Sequence, residues 1–114
     1  MTVTLLHNPR CSKSRQTLAL LQARGLDPVI VEYLKTPPDA GQLKRIIAAL
    51  GVSAHDLVRT GEAEYKALAL SPESSESALL DAMVRQPRLI QRPILIAGDQ
   101  ARIGRPPEAV LEIL

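Results

Sequence analysis

Apolar positions along the chain change their period several times, and each change marks an element. Val3-Thr4-Leu5-Leu6 is short and mostly apolar, as a strand is, and Thr17 through Arg24 is a leucine-rich run of helical character that Gly25 can end. Asp27-Pro28 marks a turn, after which Val29-Ile30-Val31-Glu32-Tyr33 is β-branched and of strand length. Strand, helix and strand make a unit whose strands run parallel through a right-handed crossover, with the binding edge at their carboxyl ends.

Thr36-Pro37-Pro38 then interrupts the chain. Asp39 followed by Gln42 has capping-box spacing, and Leu43, Ile46, Ile47 and Leu50 recur at helical intervals up to Gly51. A short helix opening at Ser53 and Asp56 carries Leu57 and Val58 inward and ends near Arg59. Residues 62–70 supply a further helical turn or two, and a helix over about 76–86 aligns Leu79, Leu80, Met83 and Val84 before Pro87 stops it. Pro93-Ile94-Leu95-Ile96-Ala97 and Ala101-Arg102-Ile103-Gly104 form an antiparallel hairpin across Gly98-Asp99-Gln100. Pro106-Pro107-Glu108 opens a last helix bearing Val110, Leu111 and Leu114. The order βαβ, helical insert, ββα predicts an α/β, thioredoxin-like fold: a mixed four-stranded sheet with helices on both sides. It forms one domain over 1–114, with a helical insertion at about 39–86. In that fold an X-Pro entry to a strand commonly sets a cis-proline beside the reactive cysteine, which here is Arg92-Pro93.

Composition narrows the function. A chain of 114 residues can bury one core without disulfide or metal support. With two Tyr and no Phe or Trp the core is aliphatic, and the stacking residues of a single-strand nucleic-acid binder are missing. The net charge of +2 is spread along the chain with no basic tail, so no nucleic-acid partner is expected. The N-terminus Met-Thr-Val-Thr-Leu-Leu-His lacks the basic region and apolar stretch of a signal peptide, and no apolar run is of membrane-spanning length. A cytoplasmic protein without a membrane partner is expected. The single cysteine cannot form an internal disulfide, so redox chemistry at Cys11 needs a second thiol from another molecule.

That cysteine lies in His7-Asn8-Pro9-Arg10-Cys11-Ser12-Lys13-Ser14-Arg15, between the first strand and the first helix. A helix N-terminus presents unpaired N–H groups and a partial positive charge, both of which favour thiolate over thiol. Cysteines so placed beside basic residues have pKa values lowered to roughly 3.5–7.5 from about 8.5, and the thiolate is the nucleophile. The contrasting reading is a structural cysteine, which behaves as a small hydrophobe. Such a residue sits among Leu and Val, whereas Cys11 has Arg10, Ser12, Lys13 and Ser14 as neighbours.

The same segment, together with Gln91-Arg92-Pro93-Ile94 and Arg102-Ile103-Gly104-Arg105-Pro106, resembles the glutaredoxin-linked arsenate reductase family in order and spacing, and the similarity runs from Val3 to the C-terminus. The resemblance implies reduction of arsenate to arsenite. Cys11 matches the family's nucleophile, glutathione is the reductant and glutaredoxin reduces the mixed disulfide, with no bound cofactor and no metal. Arg59, Arg92 and Arg105 match the arginines that bind the oxyanion. Arginine suits the task, because a guanidinium offers paired donors and a charge that does not titrate away. Taken singly, each arginine also reads as a solvated surface cation. His7 matches a family histidine near the thiol and reads either as a support for the thiolate or as a strand-end polar residue. Ser14 can donate to the sulfur or complete the helical turn. Arg15 can bind an anion or glutathione's carboxylates, or stay solvated, and His55 reads as a surface residue. Two other readings stay open: a glutathione-dependent thiol oxidoreductase with another substrate, and an Spx-like regulator that binds RNA polymerase. Regulators of that kind carry Cys-x-x-Cys, and Ser14 stands at the second position here.

Overall fold

Four short strands, β1 (Val3–His7), β2 (Val29–Glu32), β3 (Ile94–Ala97) and β4 (Gln100–Ile103), join in a mixed sheet of order β2-β1-β3-β4. The computed structural model describes residues 2–114; Met1, the first residue of the expected domain, lies outside them. The described chain divides into two compact units, one made of residues 2–36 and 92–114 and the other of 37–91.

In the sheet unit, β1 runs parallel to β2 and antiparallel to β3, and β3 is antiparallel to β4. Parallel pairing of β1 and β2 needs a crossover, which helix α1 (Ser12–Ala23) supplies. The leucine-rich run ends at Gly25, as its sequence implies. Gly25 has φ +77°, donates to the Gln22 carbonyl at 3.0 Å, and is followed by a Leu26 N–H to Leu21 O bond of 3.0 Å. This is a Schellman ending, and its two hydrophobic partners, Leu21 and Leu26, both join the core. Alternation along β1 and β3 turns Val3, Leu5, Leu95 and Ala97 to one face, where Leu21, Val110 and Ile113 complete a buried cluster. β2 is an edge strand, and its Val29 and Ile30 are exposed although β-branched.

The C-terminal segment departs from the expected α-helix. Residues Pro107–Ile113 form a 3₁₀ helix, and its buried residues Pro107, Val110 and Ile113 recur every three positions, as its three-residue turn requires. Leu114, expected on the inner side with Val110, is exposed, and Ile113 takes its place.

In the helical unit, α2 (Ala40–Leu50) begins with the expected capping box. The Gln42 N–H donates to Asp39 Oδ1 and the Asp39 N–H to Gln42 Oε1, both at 2.8 Å. Leu43, Ile46 and Ile47 are buried, while Leu50 is only partly so. A 3₁₀ turn at Ala54–Leu57 leads to Val58, which forms a bridge with Ile90. Then come α3 (Ala63–Ala67) and α4 (Glu76–Arg85), whose buried face is Leu79, Leu80, Ala82 and Met83; Val84 lies at its margin. Among the described residues no helix is long and apolar enough to cross a membrane.

Candidate active site

Sheet register brings three separate chain segments to one place. Leu6 of β1 pairs with Ile94 of β3, and Ile94 pairs with Ile103 of β4. The chain leaving β1, the chain entering β3 and the chain leaving β4 therefore meet at one end of the sheet. They carry Asn8–Cys11, Arg92-Pro93 and Gly104-Arg105 respectively. Both Arg92-Pro93, as expected, and Arg105-Pro106, which was not foreseen, are cis.

After β1 the chain makes a tight turn, with the Cys11 N–H donating to the Asn8 carbonyl at 3.0 Å and Asn8 Oδ1 accepting from the Arg10 N–H at 3.0 Å. Asn and Pro are favoured at the first two positions of such a turn. Cys11 is the N-cap of α1, with extended backbone, and its carbonyl accepts the first helical bond from the Arg15 N–H at 3.0 Å. The thiol is free and half-buried, so aliphatic packing does not seal it.

Arg105 lies against it. Its Nη2 is 3.8 Å from Cys11 Sγ, while its Nε donates to the Arg92 carbonyl at 2.8 Å. The helix N-terminus and this guanidinium both place positive charge beside the sulfur. Arg92 Nε and Nη1 are buried and have no hydrogen-bond partner. A buried guanidinium N–H without an acceptor is costly, and an anion is the acceptor that would remove the cost. Pro93 is buried, and its carbonyl accepts from the Gly104 N–H at 2.8 Å.

The supporting residues have specific partners. Ser14 is fully buried; its Oγ accepts from the Asn8 N–H at 3.0 Å and shares a 2.5 Å hydrogen bond with His7 Nδ1. Its bonds thus tie the end of β1 to α1. Burial lowers the pKa of His7 below the ordinary histidine value of 6.5; the charge of Glu32 acts in the opposite direction, and Arg15 adds to the lowering. Arg15 itself is exposed and donates from Nη1 to the Pro9 carbonyl at 3.0 Å, which braces the turn. His55, read as a surface residue, is half-buried and hydrogen-bonded through Nε2 to Tyr65 Oη at 2.9 Å.

Arg59 belongs to the helical unit. Its backbone N–H donates to the Leu89 carbonyl at 2.7 Å, and its Nη1 is held by Glu62 Oε1 in a close ion pair. Glu62 also meets Arg88 at 3.4 Å, and Arg88 meets Glu64 at 3.6 Å. Glu62 had no part in the sequence reading, although its position three residues after Arg59 could have suggested the pair. No group of three or more His, Cys, Asp or Glu able to hold a metal occurs among the described residues.

A β2-β1-β3-β4 sheet with a cysteine at the first helix's N-cap and an X-Pro entry to β3 defines a protein of thioredoxin-like fold, here with a single thiol and arginine neighbours. The ArsC family model matches residues 6–113, and the chain belongs to that family. A protein of Escherichia coli K12 described as uncharacterized, YfgD, is 54% identical over 98% of this chain and 96% of its own length. The arsenate reductase of Haemophilus influenzae is 46% identical over 100% of both chains. The solved structure of an arsenate reductase from Vibrio cholerae superposes with a TM-score of 0.97 at 48% identity, covering 100% of this chain and 98% of that one.

Proposed function

We propose that this protein is an arsenate reductase that uses Cys11 as nucleophile, takes electrons from glutathione and hands the resulting mixed disulfide to glutaredoxin. The observation that carries the proposal is the pair of buried, unpartnered side-chain N–H groups of Arg92, a residue whose backbone carbonyl accepts from the arginine that faces the cysteine sulfur. Family membership and relatives named arsenate reductase support the same substrate.

Arsenate near neutral pH is a tetrahedral dianion, a shape and charge that guanidinium groups bind through paired donors. Arg92 and Arg105 seat it against Cys11, and Arg59 is assigned as a third ligand by its match to the family's arginines. The thiolate attacks arsenic, an As–O bond breaks, and the oxygen leaves as water after accepting protons. The guanidinium groups stabilise the charge that develops on the oxygens. The glutathione sulfur then attacks Cys11 Sγ, the S–As bond breaks, and its electron pair remains on arsenic. Arsenic(V) becomes arsenic(III), released as arsenite, while two thiols become a mixed disulfide. A glutaredoxin thiolate attacks the glutathione sulfur of that disulfide, the S–S bond breaks and Cys11 leaves as thiolate. A second glutathione reduces the glutaredoxin–glutathione disulfide, leaving oxidised glutathione. Ser14, His7 and Arg15 act by fixing the turn that holds the sulfur, and Pro93 by holding the strand entry beside it. Dependence on intracellular thiols agrees with a cytoplasmic protein.

A coupled assay with arsenate, glutathione, glutaredoxin, glutathione reductase and NADPH tests this reading. Arsenate-dependent NADPH oxidation is expected, and is lost in Cys11→Ser. A flat trace from folded wild-type protein rejects arsenate as substrate.

A further inference from the structure

We infer that Gly104 is a positioning residue for Arg105: the lack of a side chain there lets the chain leaving β4 lie close enough to Pro93 and α1 for the guanidinium to reach the Cys11 sulfur. The inference rests on Arg105 acting beside Cys11, as in the proposed function, but its test needs no arsenate.

A β-carbon placed on Gly104 would stand 2.6 Å from Thr17 Oγ1 and 2.8 Å from Pro93 Cγ. Both are far inside van der Waals contact, and neither neighbour is free to yield. Thr17 is fully buried in α1, with its hydroxyl donating to the Lys13 carbonyl at 2.8 Å, and the Pro93 ring is buried at the strand entry. Nor can the loop back away cheaply, because the Gly104 N–H is bonded to the Pro93 carbonyl at 2.8 Å. The next residue is Arg105, whose Nε bond to Arg92 and 3.8 Å approach to Sγ both depend on where this backbone lies.

Gly104 differs in kind from Gly25, Gly51 and Gly98. Those three have positive φ and open space around them, so backbone conformation explains them. Gly104 has no positive φ, and the constraint on it is room alone. A shift on the order of 1 Å at a reacting centre costs about 10²-fold in rate, so a methyl group here acts on the chemistry through Arg105.

The test compares the alkylation rates of Cys11 by iodoacetate, an anion, and iodoacetamide, a neutral reagent, in the reduced full-length protein. Arg105 beside the sulfur favours the anion, and Arg105→Ala gives the ratio without that help, expected to be lower by about five-fold, the factor for unit charges some 4 Å apart in water. Gly104→Ala is expected to move the ratio most of the way to the Arg105→Ala value. Should it not fold, Gly104→Ala combined with Thr17→Ala, which relieves only one of the two clashes, is measured instead; the added carbon still stands 2.8 Å from Pro93 Cγ, so a lowered ratio is again expected. A folded variant with the wild-type ratio overturns the inference, as does an Arg105→Ala ratio equal to wild type. Failure of wild-type arsenate turnover would reject the substrate and leave these ratios as they are.

Discussion

Arg105 and Cys11 are separated by 94 positions in the chain, yet Arg105 Nη2 lies 3.8 Å from the cysteine sulfur. Two antiparallel pairings, β1 with β3 and β3 with β4, carry the end of β4 to the end of β1 and create this contact. A second bond, from Arg105 Nε to the Arg92 carbonyl at 2.8 Å, fixes the plane of the guanidinium.

Arg105→Lys is therefore expected to lose about 10²- to 10³-fold in arsenate turnover, the usual cost of one transition-state donor. An ammonium is a point charge on a flexible stem, and it cannot both reach the Arg92 carbonyl and present paired donors beside the sulfur. Steady-state kinetics of the lysine variant in the coupled assay check this; a rate near wild type would show that charge alone suffices.

Arg92→Met should abolish stabilisation by anions without harming the anion-free protein. The buried Nε and Nη1 of Arg92 have no acceptor, so an unbranched apolar side chain that lacks those N–H groups removes a cost. An anion at 100 times its dissociation constant stabilises the folded state by about 2.7 kcal/mol. Thermal melts with and without arsenate are expected to show an increase in Tm for wild type and none for Arg92→Met. An equal increase in both would remove Arg92 from the anion site.

Lowering the pH is expected to weaken the fold through His7. Burial holds its pKa below 6.5 in the folded protein, while the unfolded chain titrates near that ordinary value. Above about pH 6.5 both states are neutral at this residue and it contributes no pH dependence. Between there and the lowered folded value, the unfolded state binds more proton, so stability falls as pH falls. Urea denaturation at about pH 7.5 and about pH 5.5 should show this loss, and His7→Gln should reduce its size. An identical pH dependence in the variant would assign the loss to other groups.

Asp39→Ala should cost about 1 kcal/mol, the usual value of an N-cap, by removing the acceptor for the Gln42 N–H at the start of α2. Asp39→Ser should retain most of that stability. Denaturant midpoints compared at constant m-value are the measurement, and equal stability of Asp39→Ala and wild type would mean that the cap is idle.

The parts of this architecture that were legible in the sequence are those decided within a few residues of chain. The Asp39–Gln42 box, the Gly25 ending and the placement of Cys11 ahead of α1 each depend on one or two neighbours, and each is found as read. The C-terminal segment reads as a helix from its Pro106-Pro107-Glu108 start and the spacing of Val110, Leu111 and Leu114, and packing on the sheet selected the tighter 3₁₀ turn that buries Ile113 instead of Leu114. Glu62, which holds Arg59, and Thr17, which crowds Gly104, carried no motif, because their roles lie in contacts rather than in residue type.

Sequence by itself determined the order of elements, the single thiol at a helix start and the set of arginines available to an anion, because hydrophobic period, caps and charge are properties of short stretches. Only the tertiary structure decided that Arg105 meets Cys11, that Arg92 is buried without an acceptor, and that residue 104 has no room for a β-carbon. Those facts arise from strand register and close packing between segments far apart in the chain, which local pattern does not encode.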